Sequence, residues 1–361
     1  MTLARSRPVQ PRLPRARLPA VLLALLLAAP LAVSPAEAQN PAAKPAAKQT
    51  KPATPAKPAT PAPAAPPASI PLLPSVTADT SPVPPGGDGA YGAYQRGFYL
   101  SAFREATQRA EAGKDPAAET LLGELYSHGL GVPYNAAKAA DWYGRAIKDG
   151  SVEAMFALGM MNLMGEGGPR NLKAASQLFE QAASKGHTAA AYNLGLLYLQ
   201  GEAMPQDFTA AAKWFKVAAD GGVSDAQYAL AVLLREGNGV PADPAAATRM
   251  LKAAAAEGHV TAEVEFAIAT FNGEGVPKDE AAAARLFRKA ALAGNAIAQN
   301  RYARILSAGR GAPQDKTMAA AWHLLAKSKG LGDPYLDGVV AALPPADRKK
   351  AEDTARKWAG E

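Results

Sequence analysis

The sequence predicts an all-α protein built as a solenoid of six helix–turn–helix units. Three observations lead there. A seven-residue glycine–proline loop recurs six times at a spacing of 36 residues. Between the loops, apolar residues fall at helical rather than alternating spacing. Alanine is abundant, aromatics make up 7 % of the chain, and cysteine is absent. The missing cysteine excludes disulfides, thiolate metal sites and cysteine nucleophiles.

The chain opens with features of a secretory leader over residues 1–38. Arg5, Arg7, Arg12, Arg15 and Arg17 form a basic start, and Val21 to Val33 form an apolar run. Ala36-Glu37-Ala38 follows as a small-x-small cleavage pattern, so cleavage is expected after Ala38. The run is shorter than the ~20 residues a membrane span needs, and Pro30 interrupts it. Retention as an uncleaved anchor is the alternative. The expected location is therefore periplasmic or secreted.

Residues 39–88 are dominated by Pro, Ala, Lys and Thr. This composition cannot bury a core and favours an extended, disordered linker. Its lysines (Lys44, Lys48, Lys51 and Lys57) suit weak contact with an anionic wall or membrane surface. The formal charge of the whole chain is +7, but leader and linker carry most of the excess. The high pI is therefore no sign of a nucleic-acid partner.

The repeats occupy residues 115–330, flanked by capping segments over 89–114 and 331–361. The loops read GLGVPYN (129–135), GEGGPRN (165–171), GEAMPQD (201–207), GNGVPAD (237–243), GEGVPKD (273–279) and GRGAPQD (309–315). In each, the first glycine can end a helix A in the left-handed conformation, and the proline blocks its continuation. The closing Asn or Asp is placed to cap a helix B. Upstream stands a pair such as Leu122-Gly123, Leu158-Gly159 or Leu194-Gly195, whose small member lets the two helices approach closely. Downstream, Trp142, Leu178, Trp214, Met250, Leu286 and Trp322 mark the expected apolar anchor of helix B. A loop repeated six times is a turn; none carries the Lys-Ser/Thr ending of a phosphate cradle.

This set of marks resembles the Sel1-like repeat family, relatives of the tetratricopeptide repeats. The resemblance implies a right-handed superhelix with helices A on the concave face and helices B on the convex one. It also implies that Phe156, Met160, Leu163, Tyr192, Leu196, Tyr228, Val232, Val264, Ile268 and Phe271 line the groove. Such a strip, apolar in the middle and polar at the ends, suits recognition of a protein. Residues 94–113 resemble the helix-B half of a unit, and 335–358 resemble closing helices.

Some secreted relatives are linked to β-lactam hydrolysis. This chain lacks their cysteines, and it holds no S-x-x-K, K-T-G or G-x-S-x-G. The four histidines form no metal-binding spacing, and His187 and His259 share one repeat position, which reads as framework. No catalytic, cofactor or metal residue is nominated. The expected function is a non-enzymatic exported scaffold, adaptor or regulator of the bacterial cell envelope that binds a protein or peptide in the groove. A peptidoglycan- or polysaccharide-associated adaptor is the second reading, and a β-lactam-hydrolysing enzyme the third.

Overall fold

The computed structural model describes residues 89–360, which belong to one compact unit. The expected leader and linker lie outside the described residues. Two helices come first, α1 (Gly89–Gln95) and α2 (Tyr99–Ala112). The six repeat hairpins follow: α3 (Pro116–His128) with α4 (Ala136–Lys148), α5 (Val152–Met164) with α6 (Leu172–Ser184), and α7 (Thr188–Gln200) with α8 (Phe208–Asp220). The series continues with α9 (Ser224–Glu236) and α10 (Pro244–Ala256), α11 (Val260–Asn272) and α12 (Glu280–Leu292), and α13 (Ala296–Ala308) and α14 (Lys316–Ser328). Two closing helices, α15 (Pro334–Ala341) and α16 (Pro345–Ala359), end the array. Packing runs almost entirely between consecutive helices, as a solenoid requires. Among the described residues there is no strand, and no helix is long and apolar enough to cross a membrane.

The loop residues act as the sequence predicts. Each first loop glycine, from Gly129 to Gly309, sits in the left-handed region and caps its helix A. Asn135, Asn171, Asp207, Asp243, Asp279 and Asp315 all accept backbone N–H bonds at the start of helix B. Each such cap contributes about 1 kcal/mol. The second loop glycine serves a contact between units. A Cβ on Gly239 would stand 2.2 Å from the carbonyl carbon of Phe208, so the loop could not lie against the preceding helix B.

The helix-B anchor lies one residue later than expected. The deeply buried series is Tyr143, Phe179, Phe215, Leu251, Phe287 and His323. Trp142, Leu178, Met250 and Leu286 are only half-buried, although Trp214 and Trp322 are covered. The reason is the angle of approach to helix A. A Cβ on Gly195 would meet the Phe215 ring at 2.7 Å, and Gly123 and Gly159 stand in the same relation to Tyr143 and Phe179. The glycine thus opens a slot for the later residue, while its neighbour packs along the rim. Burying a phenylalanine this way contributes about 2–3 kcal/mol.

The two ends differ from the repeats. The N-terminal cap is a pair of helices rather than one, broken around Gly97, which has a positive φ of 82°. At the other end α16 folds over α14, with the Trp358 and Trp322 rings 4.2 Å apart.

Candidate protein-interaction face

The repeat period places α3, α5, α7, α9, α11 and α13 side by side, one per unit. Side chains tie this row to its neighbours along the array. At the N-terminal end, the Tyr94 hydroxyl donates to Glu124 at 2.7 Å, and Thr120 and Ser151 share a 2.9 Å hydrogen bond. At the C-terminal end, Asn300 donates to Asp333 at 2.9 Å, and Arg304 donates to it at 2.6 and 2.9 Å. Burial works against the charge on Asp333. The bonds from Arg304 and Asn300 outweigh it and hold the carboxyl down at about 2.

Between these polar ends the face is apolar, but its residues are not equally available. Phe156, Met160, Tyr228, Val232, Ile268 and Phe271 are half-buried and keep part of their surface in solvent. Leu163, Tyr192, Leu196 and Val264 are buried, with Tyr192 only 8 % exposed. The nominated surface therefore narrows: these four are held in the core by the adjacent helices. Tyr192 packs against Phe215 at 5.8 Å between ring centres. Burial, with the charge of Asp225 nearby, raises its hydroxyl pKa. Met164, at the lip of α5, is 50 % exposed and extends the strip beyond Met160.

Neighbours from the following unit organise the exposed part. Phe156 stacks on His187 at 4.5 Å, and Tyr228 stacks on His259 at 4.7 Å. The Tyr228 hydroxyl donates to Glu265 at 2.8 Å, and Arg235 bonds the other oxygen of that carboxylate at 2.5 Å. Phe271 lies under the Arg310 guanidinium at 4.7 Å. His187, His259 and Glu265 were not among the nominated face residues. Their signal was in the numbering: each histidine stands 31 residues after the aromatic it covers, in two alternate units.

The exposed part of the face is mostly apolar and aromatic. Among the described residues, no group of three His, Cys, Asp or Glu side chains could hold a metal ion. The fully buried His323 takes the Phe position of its unit and bonds Asp337 through Nε2 at 2.8 Å. It joins α14 to α15.

A stack of helix hairpins, each packed on the next and presenting one row of helices, defines an α-solenoid repeat protein. The Sel1 repeat family matches residues 116–151, 152–187, 188–223, 224–259, 262–295 and 296–331. These matches cover more than half of the chain, and the protein belongs to the Sel1 repeat family. Members of that family are generally non-catalytic scaffolds for protein–protein interaction. The chain is similar to a protective antigen of uropathogenic Escherichia coli strains that displays the same fold, with 28 % identity and a TM-score of 0.63. That likeness covers 72 % of this chain and 56 % of the longer antigen. A Sel1 repeat protein from Oxalobacter formigenes is 28 % identical with a TM-score of 0.55, over 68 % of this chain and 97 % of its own. No curated protein matches the chain in sequence.

Proposed function

We propose that this chain is a non-enzymatic, exported scaffold of the bacterial cell envelope that binds a protein partner along its A-helix face. The observation that carries this reading is the half-buried strip of Phe156, Met160, Tyr228, Val232, Ile268 and Phe271, continued by the exposed Met164. An apolar strip with a polar rim is what protein recognition uses, and a monomer gains little from keeping one in water. Family membership supports the scaffold role. The basic start, apolar run and Ala36-Glu37-Ala38 support export, and a similar chain is a protective antigen.

The mechanism is docking without covalent change. An extended segment or a helix of the partner lies across successive A helices and covers the strip. The test is a crosslinked pull-down from envelope extracts with residues 39–361 and with a Met160→Glu/Met164→Glu variant. Circular dichroism checks that helicity is unchanged. A protein recovered by the parent and lost by the folded variant supports the reading. Equal recovery by both would place the site elsewhere. If instead both chains sediment with cell-wall material and recover no protein, the polymer-binding adaptor replaces this proposal.

A further inference from the structure

We propose that His187 and His259 are acid-sensitive pins, which hold the A-helix face in register at the junctions between units two and three and between units four and five. Each is the N-cap of its helix A: His187 Nδ1 accepts from the Ala190 N–H at 3.1 Å, and His259 Nδ1 accepts from the Ala262 N–H at 3.1 Å. That bond needs a lone pair on Nδ1, so the ring must be neutral with its proton on Nε2. The same ring lies flat on the preceding A helix, against Phe156 or Tyr228, with an interplanar angle of 24° in both cases. One side chain therefore caps its own unit and clamps the unit before it.

Protonation sets these two roles against the ring's chemistry. An imidazolium carries N–H on both nitrogens. Its Nδ1–H would face the Ala190 or Ala262 N–H, donor against donor. The ring must turn away, and cap and stack are lost together.

The charged groups around the two pins are few. Glu153 on α5 faces His187. Asp225 on α9 approaches His259 Nε2 at 3.5 Å, and Glu265 on α11 also faces it. The backbone N–H of each histidine is bonded to the preceding helix B: His187 N donates to Ala182 O, and His259 N donates to Ala254 O. Burial lowers both histidine pKa values, and the opposing pull of the carboxylates does not cancel it. A histidine lowered in the folded state contributes full stability above about 6.5, its unfolded value. That contribution is lost as pH falls through the folded value. Acid therefore loosens these two junctions and frees Phe156 and Tyr228.

The remaining units supply the comparison. At the same position stand Asp115, Ser151 and Asn295, which cap through oxygen, and Val223, which makes no side-chain cap bond. Asn295 caps Ala298 at 2.9 Å and does not titrate. Asparagine is thus a native solution at this position, and His187→Asn with His259→Asn is the matched control. The inference needs no partner and stands apart from the proposed binding role.

Two measurements test it on residues 39–361. Nitrogen NMR at pH 7.5 should show Nδ1 unprotonated in both rings. Amide exchange, corrected for intrinsic rate, should show protection of Ala190 and Ala262 falling about fivefold across the pH range in which nitrogen NMR shows the two rings taking up a second proton, the loss of one cap. Ala298 should stay level, and the double Asn variant should show no fall at any of the three. A proton on Nδ1 at pH 7.5, level protection in the parent, or an equal fall in the variant would overturn the proposal.

Discussion

The Tyr228 hydroxyl donates a 2.8 Å hydrogen bond to Glu265, a residue 37 positions along and on the next A helix. The same ring stacks on His259, and Arg235 holds the other oxygen of Glu265. One tyrosine therefore ties two units together while keeping part of its surface in water. Burial and the Glu265 charge both raise its pKa, so the hydroxyl stays protonated and remains a donor through the neutral range. Tyr228→Phe keeps the stack and removes the bond. It should cost about 1 kcal/mol in urea unfolding, with helicity unchanged.

Gly195 and Phe215 form a matched pair across helices A and B of unit three. A Cβ at Gly195 would stand 2.7 Å from the ring, so Gly195→Ala should cost about 1–3 kcal/mol by overpacking. Unit four pairs Ala231 with Leu251 at these positions, and both are buried. Phe215→Leu added to Gly195→Ala should therefore recover part of the loss. Urea unfolding of the two singles and the double shows it as a favourable coupling energy.

Asp333 links acid sensitivity to the C-terminal end. Its carboxyl is held at about 2, below the unfolded value of 3.8. The folded state therefore binds fewer protons in that interval, and stability falls as pH drops from about 4 to 2. Asp333→Asn should lower stability at pH 7 and flatten the pH dependence between 4 and 2. The difference between parent and variant, followed by thermal melting across that range, checks both.

His323 fills a position taken by Phe179, Phe215 and Phe287 in other units. It is fully buried, and its Nδ1 has no partner. His323→Phe gives up one bond to Asp337 but removes that unsatisfied atom, so its stability should stay within about 1 kcal/mol of the parent. His323→Ala leaves a cavity and should cost about 2 kcal/mol or more. Thermal melts of both variants separate packing from hydrogen bonding.

The sequence made the fold legible because its main marks act over a few residues. A loop glycine, a proline and a capping Asn or Asp each decide one turn locally, and the 36-residue period repeats that decision six times. Contacts between helices were harder to read. Trp142 and Tyr143 are adjacent, large and periodic alike, and only the slot opposite Gly123 selects the second. Availability on the A-helix face was harder still. Tyr192 and Tyr228 share one repeat position, yet one is buried and the other half-buried. The residue that follows each by 31 positions also differs, Val223 in one case and His259, stacked on Tyr228, in the other. A resemblance that transfers positions unit by unit carries no account of what the next unit brings.

The claim that a partner docks on the A-helix face is tested most directly by a photoreactive residue placed on either side of the solenoid. Positions 164 and 232 lie on that strip, while Gln177 and Lys213 are exposed on helices B. Each labelled chain is irradiated in the same envelope extract. The account predicts one discrete protein adduct from 164 and 232 and none from 177 and 213. Adducts formed only from the helix-B positions would contradict it.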